Sequence, residues 1–140
     1  MREAEPTLSL AAWLSYAQRV AALRQSRREG ILVACRAGRT LPCGAVCYRR
    51  DHDLRYGWCL TAEHFIAVDL LDPRVVLMAL LAELEVVAVK LGCTAIRSIL
   101  HGGRDDLTED LLLAGHVSDG VTLRKTISRE GVSRPGGVGR

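Results

Sequence analysis

Glu63, His64 and His101 are the side chains of this 140-residue sequence best placed to move a proton. Glu63 and His64 lie in the middle of a strand-like run, Trp58 to Val68. Strand side chains alternate, so the two are expected on opposite faces: His64 with Trp58, Leu60, Ile66 and Val68, and Glu63 with Thr61, Phe65 and Ala67. One of them is then turned into a core or cleft, the usual setting of a general base. The competing expectation is a strand near the sheet surface carrying one solvated polar residue. His101 ends a second strand and is followed by Gly102 and Gly103, which let a ligand approach the backbone. The same residues also read as a plain glycine turn before a helix. His52 and His116 fall in turns with no partner legible in the sequence. No Gly-x-Ser-x-Gly elbow exists, so a serine nucleophile of that kind is excluded.

The five cysteines, Cys35, Cys43, Cys47, Cys59 and Cys93, form no CxxC pair and have no histidine at ligand spacing. They are expected to be reduced, small buried hydrophobes rather than a metal site, with Cys43 and Cys47 on one face of their strand.

The elements around these residues follow from the pattern of apolar positions. Ser9 to Arg28 has helical spacing, capped by Thr7 or Ser9 and ended by Gly30. Ile31 to Arg36 and Pro42 to Arg49 form a hairpin, and Asp51-His52-Asp53 turns into the Trp58 strand. Asp72 and Pro73 start a long helix, Pro73 to Leu91, that stops at Gly92. A strand from Thr94 to Leu100, a helix around Asp106 to Ala114, a stop at Gly115 and a last strand from Gly120 to Ile127 complete the order. A strand, a crossover helix and a second strand are expected to place Trp58–Val68 and Thr94–Leu100 side by side in parallel. One domain over 7–127 is expected, with residues 128–140 a flexible Gly, Arg and Ser-rich tail.

Between Val75 and Val89 the long helix carries only Glu83 and Glu85, on opposite sides. It lacks a broad polar face, so it is either buried by the sheet and the first helix or meets another subunit; a homodimer or protein partner is expected. The net charge of +3, without a basic face interleaved with aromatics, does not imply nucleic-acid binding. No apolar run approaches the roughly 20 residues that span a bilayer, and no secretory signal is visible, so the protein is expected to be soluble and cytoplasmic.

The order of elements resembles the GNAT N-acetyltransferase superfamily over roughly residues 9 to 127. The resemblance is carried by Phe65-Ile66-Ala67-Val68-Asp69, by Leu80 to Ala88, by Lys90-Leu91-Gly92-Cys93-Thr94-Ala95-Ile96, by Leu112 to His116 and by Val121 to Lys125. It implies an α/β fold: an N-terminal helix, an antiparallel meander, then strand, helix, strand, helix, strand, joined in a mixed sheet. It also implies acetyl-CoA as acyl donor, an amine as acceptor, and an acyl group lying next to Glu63 and His64. The donor would run along Val68, Arg74, Val75, Val76 and Ala79. The family's pyrophosphate loop reads Gln or Arg, two residues, Gly, one residue, Gly or Ala. Here Arg74 and Ala79 match, but Leu77 replaces the glycine, where its side chain is expected to obstruct the phosphates. The tyrosine that often protonates the leaving thiolate is replaced by Leu111. Two functions stay open: an N-acetyltransferase with a divergent cofactor loop, or a catalytically degenerate member acting as a binding or regulatory module.

Overall fold

The computed structural model describes residues 9–22, 28–68 and 72–126. Residues 1–8 with the expected cap Thr7, residues 23–27 where the first helix is expected to continue, the junction 69–71, Ile127 and the tail 128–140 lie outside the described residues. Helix α1 (Leu10–Ala22) is followed by strands β1 (Glu29–Cys35), β2 (Pro42–Asp53) and β3 (Gly57–Ala67). Helix α2 (Pro73–Lys90), strand β4 (Ala95–Ile99) and helix α3 (Asp105–Leu113) complete the order.

The sheet runs β1-β2-β3-β4. The first three strands form the expected antiparallel meander, and β4 joins β3 in parallel through α2. The α2 boundaries were legible because each has a local cause. The Asp72 carboxylate accepts from the Arg74 and Val75 N–H groups at 3.1 and 3.4 Å, and Pro73 has no N–H to satisfy. At the other end Gly92 takes a positive φ of 67°, which stops the helix at little steric cost. Helix α1 starts as read, with the Ser9 hydroxyl accepting from the Ala12 N–H at 3.1 Å.

The core lies between one face of the sheet and the two C-terminal helices. Val46, Leu60, Ala62 and Phe65 pack against Val76, Leu77, Leu80, Leu81, Leu84 and Ala88 of α2 and Leu107 and Leu111 of α3. Helix α1 packs on β1 and leaves none of its own residues fully buried. It therefore does not supply the cover expected for α2. The outward side of α2 exposes Val75, Met78, Val86 and Val89 beside Glu83 and Glu85.

Two expected elements differ. Strand β2 continues through Asp51 and His52, and the turn is Leu54–Tyr56 instead. The Asp53 carboxylate folds over that turn to accept from the Arg55 and Tyr56 N–H groups at 2.7 and 3.2 Å. On the strand itself His52 meets Trp58 edge-on at 5.0 Å, and Arg50 lies 3.8 Å from the Trp58 ring centroid. These cross-strand contacts favour pairing over turning.

The last strand does not form between Gly120 and Thr126. Asp119 is held at the β2–β3 turn by the Arg55 guanidinium at 3.2 Å and the Tyr56 hydroxyl at 3.3 Å. Gly120 then takes φ 107°, and the alternating residues that follow do not pair with β4. Leu123 is 90% exposed. A cleft of about 1140 Å³ lies beside β4, α3 and this segment.

Candidate functional site

The site begins with one extra residue in β3. Ala45 pairs with Ile66 and Cys47 with Glu63, so Val46 alone faces both His64 and Phe65. This is a β-bulge, and its first residue, His64, takes the left-handed conformation with φ 57°. Among the described non-glycine residues it is the one with positive φ, a placement that costs roughly 1 kcal/mol or more. The bulge resets the alternation. Leu60 and Ala62 face α2 before it, and Phe65 faces α2 after it, contrary to the face expected for Phe65. Glu63 and His64 are consequently not on opposed faces. Their ligating atoms and one of His101 lie within 4.8 Å of one another.

His101 arrives from the other strand. The β3–β4 ladder ends at Glu63↔Ile99, while β3 continues to Ala67 and the chain after β4 turns away through Leu100. Past that point the two strands part. His101 Nε2 lies 3.4 Å from Glu63 Oε2, and the His101 ring stacks on His64 at 5.0 Å with 18° between planes. Gly102 follows with φ 67° and open space around it. The glycine turn and the placement of His101 beside Glu63 and His64 are thus the same feature. All three side chains named from the sequence are brought together at one spot, the end of the parallel pair, a common position for a ligand in an α/β sheet.

Two further residues bear on the cluster that sequence reasoning did not single out. Arg49 of β2 pairs with Glu63 through Oε1 and with Asp51 at 3.0 Å. Burial alone would lower the Arg49 pKa, but these carboxylates outweigh it and raise it, so Arg49 stays charged. Arg49 lies two positions beyond Cys47, the pairing partner of Glu63, and so on the same sheet face. That was legible only with the register in hand. Tyr16 of α1 has a phenol pushed up to about 12, first by burial and then by the charges of Cys47, Glu29 and Glu63. Tyr16 therefore keeps its proton near neutral pH.

The residues expected along an acyl donor divide into separate places. Val75, Val76 and Ala79 line a pocket of about 300 Å³ with Ala34, Cys43 and Asp72, beside the β1–β2 end of the sheet. The Val68 N–H is already given to the Cys43 carbonyl at 2.9 Å. Arg74 Nε instead bridges to Asp110 of α3 at 2.9 Å. Leu77 does not stand in the way of a ligand as expected: it is 5% exposed and packed in the core. The occupant of the α2 N-terminus is the Asp72 carboxylate, which takes the first two N–H groups of the helix. Leu111 is likewise buried in the core and has no proton to give.

None of the five cysteines is in a disulfide. Cys47 and Cys59 are buried and Cys35 is exposed. The pairing slips at Ala34/Cys35, so Cys43 is an extra residue in β2 and turns to the side of the sheet where Val76 and Ala79 lie. Cys47 sits on the other side, next to Glu63 in register, so Cys43 and Cys47 do not share a face. His116, which looked partnerless, has Nε2 3.1 Å from Ser98 Oγ.

The sequence matches no protein-family model and no curated protein. Its structure is similar to several solved ones. The aminoglycoside N-acetyltransferase AAC(6')-Iy in complex with CoA superposes with a TM-score of 0.69 at 14% identity, over 91% of this chain and 83% of that one. A transcriptional regulator from Bacillus halodurans C-125 gives 0.68 at 18% identity, over 81% and 76% of the two chains. The glucosamine-6-phosphate N-acetyltransferase of Arabidopsis thaliana gives 0.63 at 9%, over 87% and 81%. At such identities the likeness is one of fold.

Proposed function

We propose, from the premise that the chain has the GNAT N-acetyltransferase fold, that it transfers an acyl group from a thioester to an amine. The observation that carries this reading is the Glu63–His101 pair, 3.4 Å apart where β3 and β4 separate. An amine nitrogen attacks the thioester carbonyl carbon, the C–N bond forms, and the C–S bond breaks to release a thiolate. The proton lost by nitrogen goes to Glu63 Oε2, with His101 able to pass it on to solvent. Arg49 holds the carboxylate by its other oxygen, which keeps Oε2 turned toward His101. With Leu111 in the position of the family's tyrosine, the thiolate takes its proton from water.

The thioester end of acyl-CoA suits this place better than its pyrophosphate suits the α2 N-terminus. Pro73 has no N–H, and the N–H groups of Arg74 and Val75 already serve Asp72. A phosphate brought there meets a like charge and loses the helix amides that would hold it. Arg74 is the group that can still meet a phosphate, by leaving Asp110. We therefore expect weak acetyl-CoA binding that strengthens as salt is lowered. The Asp72 cap also favours a second reading, a binding or regulatory module that has lost the donor. Calorimetric titration with acetyl-CoA separates the two: saturable heat supports the enzyme, and none at millimolar donor supports the module.

A further inference from the structure

We propose that Glu63, His64 and His101 form a binding site for a divalent transition-metal ion of the zinc class. The inference stands on geometry and donor chemistry and does not depend on acyl transfer. Bonds of about 2.1 Å at tetrahedral angles place ligand atoms about 3.4 Å apart. His101 Nε2 and Glu63 Oε2 are 3.4 Å apart already. One ligand atom from each of Glu63, His64 and His101 lies within 4.8 Å of the others, so His64 closes the site by a shift on the order of 1.5 Å.

The surroundings match what such a site requires. The carboxylate uses Oε1 for Arg49 and Oε2 toward His101, so the metal-facing oxygen is not the one Arg49 occupies. An outer hydrogen bond of that kind fixes the orientation of a ligating carboxylate. The three ligands come from a bulge and from a residue just past a strand end, so the backbone, rather than one helix or loop, sets their spacing. His101 is exposed, and Gly102 and Gly103 leave open space beside it, so an ion can enter and keep a water in the fourth position. Two imidazoles and one carboxylate select zinc, cobalt or nickel over magnesium and calcium, which prefer oxygen donors. On the acyl-transfer reading, zinc on Oε2 also takes the proton acceptor, so metal binding and base catalysis exclude each other there.

The test uses the full chain, reduced and metal-free, with ZnCl2 in calorimetry and CoCl2 in absorption spectroscopy, both without acetyl-CoA. The expected result is one zinc per chain and a visible cobalt band without thiolate-to-metal charge transfer. His101→Gln should weaken zinc at least tenfold. His64→Asn should do the same, and asparagine tolerates the left-handed backbone, so this variant keeps its fold. Cys35→Ser should leave the affinity unchanged. No saturable zinc binding, unchanged affinity in both histidine variants, or a thiolate charge-transfer band would each overturn the assignment.

Discussion

Replacing Leu77 by glycine is the substitution on which the sequence and the structure disagree most. Read as a blocked phosphate loop, Leu77→Gly should tighten acetyl-CoA binding. The structure instead places the side chain among Val76, Leu80, Leu81 and the sheet, 5% exposed. Truncation of a buried leucine to alanine costs about 2–5 kcal/mol, through lost transfer energy and the cavity left behind. The further step to glycine inside a helix adds about 1 kcal/mol. The total, about 3–6 kcal/mol, is a large part of the 5–15 kcal/mol that holds a typical domain together. With a urea slope of about 2 kcal/mol per molar, the unfolding midpoint should fall by about 2 M. Val75→Gly, at a position 63% exposed two residues earlier, should lose under about 1 kcal/mol. Urea unfolding followed by circular dichroism measures both, and calorimetry on the folded fraction measures acetyl-CoA. A Leu77→Gly midpoint within about 0.5 M of the parent, with tighter acetyl-CoA binding, would refute the core placement.

Asp72→Ser keeps a competent helix cap while removing the negative charge, so acetyl-CoA affinity should rise by about fivefold at low salt with little change in stability; an unchanged affinity would mean that phosphates do not approach α2. Tyr16 has a raised folded pKa, so its contribution to stability is complete below about pH 10 and is lost as pH rises toward about 12. Tyr16→Phe should flatten the fall in stability over that window, and an identical alkaline profile in the variant would contradict the placement of α1 against Glu63 and Cys47. Among the thiols, Cys35 should react first with a disulfide reagent, whereas Cys59, whose pKa burial raises, should react only on denaturation; rapid native labelling of Cys59 would contradict its burial. Val75→Asp and Val89→Asp, on the outward side of α2, should leave stability within about 0.5 kcal/mol if that side is solvated.

What the sequence made legible had local causes. Asp72, Pro73 and Gly92 bound α2 by capping chemistry that needs no knowledge of the rest of the chain. The parallel pairing of β3 with β4 followed from the crossover. The inward side of α2 was not legible, because apolar residues surround the helix and their arrangement does not choose a face; the sheet chooses it. The bulge at His64 carries no sequence signal either. A histidine in the left-handed region looks like any strand residue, and one inserted residue reverses every later side chain, Phe65 included. The last strand failed for a similar reason: Val121 and Leu123 alternate well enough, but Arg55 and Tyr56, more than sixty residues earlier, hold Asp119 at the β2–β3 turn, and no pairing with β4 follows. Glu63, His64 and His101 were each found from residue type and position, and their convergence required the register.

The central claim is that Glu63, oriented by Arg49 and next to His101, accepts the proton of an amine during acyl transfer. The most direct measurement is thiol release from acetyl-CoA with a panel of primary amines, compared between the parent protein and Glu63→Gln, with donor binding followed in parallel by calorimetry and chelator present throughout. The account predicts that Glu63→Gln keeps the fold and the donor affinity while losing at least a hundredfold in rate, the range of a general base. Equal rates in the two proteins, or an absence of saturable donor binding in both, would contradict it.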